Sequence, residues 1–200
     1  SNLLLSSGTL TPAFGFATTS YTATVPYSVT SLAVTPFPSD WNSSIQVNGT
    51  AVAGATASSP IALSIGANII TTTVTAQDLA TSKIYTVTVT RPPSNNTDLS
   101  NLGLSNGTLT PAFSSGTTAY TATVAKSIAS ITVTPTVADA TAAVKVNGAT
   151  VASGSASLPI SLTVGANIIT ATVTAQDGVS TKTYTATVTR SALNENADLS

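Results

Sequence analysis

The chain has no cysteine, histidine or methionine, and a single glutamate, Glu195. Without Cys there are no disulfides and no thiol chemistry, which fits either a reducing compartment or an exported protein that avoids cysteine. Without His or Cys there is no usual nucleophilic triad and no strong zinc site. Charge is scarce too: Asp, Glu, Lys and Arg make up 6% of the residues, against about 25% in an average soluble domain. Six basic residues and a net charge of −1 cannot build a phosphate-tracking stripe, which excludes a nucleic-acid partner. No apolar run approaches the ~18 residues of a membrane span, and no signal-peptide pattern is present. The sequence reads as a mature or excised product.

What remains is Thr, Ser, Val, Ala and Ile in abundance. Disordered chains are poor in β-branched and apolar residues, so this chain folds, and it folds as β. Low charge, plentiful hydroxyls and the missing oxidisable side chains point outside a cell, to an extracellular or cell-surface location.

A repeat organises the chain. SNLLLSSGTLTPAF at 1–14 returns as SNLGLSNGTLTPAF at 100–113, GANIIT at 66–71 returns at 165–170, and VTAQD at 74–78 returns at 173–177, always 99 positions later. A unit of this length builds its own core, so these are tandem domains rather than short solenoid repeats. The boundaries read as 1–93 for the first domain and 94–193 for the second. Residues 194–200 are a linker or the start of a third repeat, because ADLS at 197–200 echoes TDLS at 97–100.

Within each unit the two-residue period is plain. Tyr21, Ala23 and Val25 share one face of YTATV, and Tyr85, Val87 and Val89 share one face of KIYTVTVTR. Such alternation marks strands with one face on a core and one in water. Segments near 2–5, 20–25, 31–35, 44–47, 50–53, 61–65, 69–76 and 83–90 give seven or eight strands per unit. Asn48-Gly49, Asn147-Gly148 and Asp177-Gly178 are type I′ hairpin signals, since that turn needs positive φ at both central residues. The fold class expected is all-β, as two tandem immunoglobulin-like sandwiches.

The ordered motifs LGLSNGTLTPAF, TTAYTATV, VNG, GANIIT and VTAQDGVSTKTYTATVTR resemble the cadherin-like β-sandwich domain of bacterial secreted and surface proteins. The resemblance spans both units nearly end to end. It implies an Ig-like sandwich used in tandem as spacer, stalk or adhesion module, with no catalytic residues. The acidic clusters with which true cadherins hold calcium between domains are missing here.

Chemistry finds little support. Asp40, Asp78, Asp139 and Asp177 are spaced singly, and an Asp at a strand-to-strand turn is a turn former. Asp98 with Asn95 and Asn96, and Glu195 with Asp198, lack the DxDxD spacing of a calcium loop. The Thr rows invite an ice-binding reading, but sandwich sheets twist, and solvent-facing strand positions explain the Thr. The expectation is a non-enzymatic module with no cofactor and no metal.

Two candidate contact regions remain. Phe16, Tyr27, Phe37 and Trp41 occur only in the first copy, facing Ser115, Lys126, Thr136 and Ala140 in the second. With Asp40 they read as an aromatic patch in non-strand positions at one end of domain 1, suited to a glycan or a cell-surface protein. The second copy is preceded by Asp98-Leu99, and Asp198-Leu199 repeats that pair at the far end. Leu3, Leu5, Asp198 and Leu199 therefore read as a head-to-tail assembly segment, whose partner is another copy of the chain or a neighbouring repeat. A stalk or fibre subunit is the leading functional expectation; a carbohydrate-binding or adhesin module is the alternative.

Overall fold

A computed structural model describes residues 1–192. The described chain is β throughout and divides into two compact units, the first Ser1–Pro93 and the second beginning at Ser94. Among the described residues no helix is long and apolar enough to cross a membrane.

Unit 1 holds β1 (Asn2–Leu5), β2 (Ser20–Thr24), β3 (Ser31–Leu32), β4 (Val34–Phe37), β5 (Ser44–Val47), β6 (Thr50–Ala51), β7 (Ile61–Ala62), β8 (Gly66–Thr75) and β9 (Ser82–Arg91). One five-stranded sheet runs β2-β9-β8-β5-β6, and the ladders β1–β4 and β3–β7 lie opposite it. Unit 2 repeats the order as β10 (Leu99–Leu104), β11 (Ala119–Val124), β12 (Ser130–Ile131), β13 (Val133–Val137), β14 (Ala143–Val146), β15 (Ala149–Val151), β16 (Ile160–Ser161), β17 (Gly165–Thr174) and β18 (Thr181–Arg190). Its larger sheet runs β11-β18-β17-β14-β15. The single strand expected over 31–35 is two, β3 and β4, interrupted at Ala33. There Ser6 takes both backbone bonds, its N–H donating to Ala33 O and its Oγ accepting the Ala33 N–H.

The alternation settles which residues make the core. Tyr21, Ala23, Val25, Val87 and Val89 are buried together in unit 1, as are Tyr120, Ala122, Val124, Ala186 and Val188 in unit 2, while the intervening Thr face outward. A tyrosine in each unit ties the loop ahead of the second strand to the core. The Tyr21 hydroxyl sits 2.7 Å from the Thr18 carbonyl and 2.8 Å from that of Gly15, and Tyr120 does the same at Thr117 and Ser114.

Turn chemistry follows two of the three hairpin signals. Asn48-Gly49 and Asn147-Gly148 both have positive φ at both residues, as type I′ requires. Asp177-Gly178 does not form that turn: only Gly178 has positive φ, and the connection spans 175–180. Here Asp177 holds the loop by accepting from the Val179 and Ser180 N–H groups and the Ser180 hydroxyl. Such side-chain acceptance is the Asx-type alternative to a two-residue hairpin.

Candidate functional site

One end of each sandwich, where its first strand begins, carries the features that distinguish the two copies. In unit 2 this end is covered by residues 94–99, which follow directly on Pro92 and Pro93. Ser94 is buried; its N–H donates to Gln176 Oε1 at 3.0 Å and its carbonyl accepts from Asp177 N. Its hydroxyl donates to the Asp139 carboxylate, which this bond, with those from Thr141, holds below the usual carboxylate range. Asn96 shapes the next turn by accepting the Asp98 N–H at 2.9 Å. The Asp98 carbonyl then accepts from Ala138 N at 2.8 Å, and its carboxylate meets Lys182 Nζ at 2.8 Å. Leu99 follows, 0% exposed, its N–H donating to the Tyr184 hydroxyl at 3.0 Å. The Asp98 hydrogen bond raises the Lys182 pKa above the ordinary lysine value, outweighing the opposing effect of burial.

The receiving groups recur in unit 1. Gln77, Asp78, Asp40, Lys83 and Tyr85 stand 99 positions before Gln176, Asp177, Asp139, Lys182 and Tyr184. Lys83 is already posed: its Nζ donates to the Phe16 carbonyl and lies 5.4 Å from the centre of the Tyr85 ring, as Lys182 donates to Ser115 O and lies 5.2 Å over Tyr184. In unit 1 these groups border an open groove. Its wider part, about 220 Å³, is lined by Ser39, Asp40, Val74, Ala76, Lys83 and Tyr85 among others. A narrower part of about 50 Å³ runs past Leu3, Phe14, Phe37 and Thr72. Burial records the difference: Val173, Ala175 and Tyr184 are buried, whereas Val74, Ala76 and Tyr85 are half-buried.

The aromatic residues of the first copy do not make one patch. Tyr27 stacks under Arg91 (4.9 Å to the ring centre) and accepts the Arg91 Nε–H on its carbonyl. Arg91 lies eight residues along β9 from Lys83, roughly 26 Å at strand rise, so Tyr27 belongs to the opposite end. Phe37 is not in a loop: it closes β4, pairs with Asn2 and is half-buried beside the groove. Phe16 and Trp41 do stand out, 73% and 66% exposed. Asp40 turns the loop, accepting from the Asn42 N–H and side chain.

Trp41 has a structural reason that the sequence hides. An ideal Cβ on Gly54 would stand 2.9 Å from Trp41 Cζ3 and 3.0 Å from Pro38 Cδ. In unit 2 the corresponding residues are Ser153, Ala140 and Val137, and the Ser153 hydroxyl accepts the Val137 N–H at 3.0 Å. Pro38 has no N–H to satisfy, Gly54 needs no hydroxyl, and the indole packs where that side chain would be. The three positions change as a set.

Leu3 and Leu5 serve their own domain: both lie in β1, Leu3 buried and Leu5 half-buried against the same core. Asp198 and Leu199 lie outside the described residues. Among the described residues no group of His, Cys, Asp and Glu is placed to hold a metal.

Known proteins agree with this architecture. The profile of the cadherin-like β-sandwich domain matches residues 5–92 and 99–191, and the chain belongs to that family. A protein of Evansella cellulosilytica named "Putative membrane protein" is 41% identical over 106 residues, which is 53% of this chain and 16% of that protein. Among solved structures, the titin domains Z1Z2 in complex with telethonin align at a TM-score of 0.39 and 11% identity, over 97% of this chain and 98% of theirs. The protocadherin fragment PcdhgB3 EC1-4 aligns at 0.34 and 10% identity, over 95% of this chain and 52% of that one. Cadherin-like and Ig-like domains are structural or adhesion modules and are generally non-enzymatic.

Proposed function

We propose that this pair of cadherin-like sandwiches is a load-bearing connector of an extracellular or cell-surface protein, acting as part of a stalk or as a subunit of a fibre. The observation that carries the reading is the pairing of the end strands. β2 runs parallel to β9, from Ser20 beside Thr86 to Thr24 beside Thr90, and β11 runs parallel to β18 in the same way. Tension enters a domain at its N-terminal side and leaves at the C-terminal end of its last strand. Two neighbouring parallel strands drawn from opposite ends slide lengthwise, so their ladder bonds are loaded together rather than opened singly. The connection between the units suits such loading. Only Pro92 and Pro93 separate Arg91, the last residue of β9, from buried Ser94, and consecutive prolines are stiff.

Single-molecule pulling from the two termini tests this. Two unfolding events are expected, each releasing roughly 300 Å of chain at 3.3–3.6 Å per residue. The absence of native cysteine makes introduced cysteines unique handles. Pulling unit 2 through cysteines at Asn147 and Asp177 is expected to open it at lower force than pulling end to end. Equal or lower force in the end-to-end direction removes the load-bearing reading.

A second reading, a glycan-binding or adhesin module, is favoured by the exposed Phe16 and Trp41 rings. Binding on a glycan array that is lost in Trp41→Ala supports it; no binding, or binding unchanged by the substitution, removes it.

A further inference from the structure

We propose that the groove of domain 1 is a socket for the segment Asn196-Ala197-Asp198-Leu199 of a second copy, which joins copies head to tail. The inference rests on the structural-connector reading and names its joint. The joint is already drawn inside unit 2, where 94–99 fill the same end of the same fold. Residues 194–200 read NENADLS against SNNTDLS at 94–100 and keep Asn, Asp, Leu and Ser at the third, fifth, sixth and seventh places. Three of the kept residues do visible work in the filled end of unit 2. Asn96 shapes the turn, Asp98 meets Lys182, and Leu99 is fully buried.

The residues that differ are those whose side chains matter less. Ser94 contributes two of its bonds through its backbone, to Gln176 and Asp177, so Asn194 retains both groups. On the receiving side, domain 1 offers Lys83 for the aspartate, Tyr85 for the leucine N–H, and the Ser39 N–H where Ala138 donates to the Asp98 carbonyl. The one change in the socket is neutral to it: Pro38 replaces Val137, whose N–H goes to Ser153 and not to the segment. Entry of Asp198-Leu199 places the leucine over Val74, Ala76 and Tyr85, the three side chains left half-buried in unit 1. Ser1 stands where Ser100 does, so the incoming Leu199 meets the start of β1 end to end.

The test uses the full chain carrying Leu199→Ser as receptor, the peptide Asn-Glu-Asn-Ala-Asp-Leu-Ser as ligand, and Trp41 as reporter, since its neighbours Ser39 and Asp40 line the groove. A saturable fluorescence change is expected. Peptides with Asp→Ala or Leu→Ala are expected to bind roughly tenfold or more weakly, the loss that one buried leucine side chain or one charge-assisted bond gives. Because the receptor is unchanged in that comparison, its folding is not in question. In sedimentation, the unsubstituted chain is expected to form concentration-dependent linear oligomers. Lys83→Gln and Leu199→Ser chains are each expected to remain monomeric, and their mixture to stop at heterodimers, because one keeps only the donor and the other only the socket. Peptide binding indifferent to the Asp and Leu changes, oligomers that persist in both variants, or a monomer at every concentration overturns the socket. None of these outcomes touches the load-bearing reading, which is judged on single chains under tension.

Discussion

The Asp98 carboxylate lies 2.8 Å from Lys182 Nζ, 84 positions away in sequence, and it brings Leu99 into the core beside it. The ion pair is partly open to water, with side-chain exposures of 25% for Lys182 and 45% for Asp98. It guides the segment more than it stabilises the domain. Asp98→Asn is therefore expected to cost less than about 1 kcal/mol, whereas Leu99→Ala is expected to cost about 2–5 kcal/mol. Urea unfolding should show the loss in the unit 2 transition alone, and a comparable loss from both variants would contradict the division.

The two copies suggest a stabilising change in the first. Thr72 is buried, points into the core from β8, and its hydroxyl has no protein partner; the second copy has Ala171 there. An unpartnered buried hydroxyl costs about 1–3 kcal/mol. Thr72→Val keeps the shape and removes the polar atom, and is expected to raise the unit 1 unfolding free energy by about 1–2 kcal/mol. Denaturant unfolding of the full chain measures it.

Leu79 adopts φ +59° at the tip of the β8–β9 turn, where the second copy places Gly178 at +72°. A bulky residue in the left-handed region is strained, and glycine is not. Leu79→Gly is expected to stabilise unit 1 by about 1 kcal/mol after allowance for the freer unfolded chain. Gly178→Leu is expected to destabilise unit 2 comparably. Thermal unfolding of both variants checks the sign.

Trp41, Gly54 and Pro38 are expected to tolerate exchange only together. Gly54→Ser sets a Cβ against the Pro38 ring and the indole, which is expected to cost about 1–3 kcal/mol as overpacking and to shift Trp41 emission to the red. Adding Pro38→Val and Trp41→Ala, so that all three match the second copy, is expected to recover most of the loss. Tryptophan emission reads the single variant and denaturant unfolding reads both.

Acid is expected to loosen the turns before it exposes the core. Hydrogen bonds from Ser180 and Val179 lower the Asp177 pKa, and bonds from Thr81 and Ala80 lower that of Asp78. Groups with depressed pKa values contribute stability above the ordinary carboxylate range and lose it as pH falls through their own. Melting temperature is expected to be flat near neutrality and to fall below about pH 4. The fall should be shallower in the Asp78→Asn, Asp177→Asn double variant, since those two sites then no longer titrate.

The sequence alone determined the fold class, the tandem repeat and the identity of the core. Apolar and Thr residues alternating at period two allow only one burial pattern, and burial supplies most of the driving force. Asn48-Gly49 and Asn147-Gly148 announced their turns because their backbone demands are local. Tertiary structure decided the rest. Tyr27 and Phe16 look alike in sequence, yet β9 holds them at opposite ends. Trp41 reads as a lone aromatic until Gly54 and Pro38 are brought under it. Asp98 and Leu99 look like linker residues until Lys182 and Tyr184 close on them from β18. In each case the deciding partner is distant along the chain, and a contact between distant residues is fixed by how the strands pair, which no local pattern records.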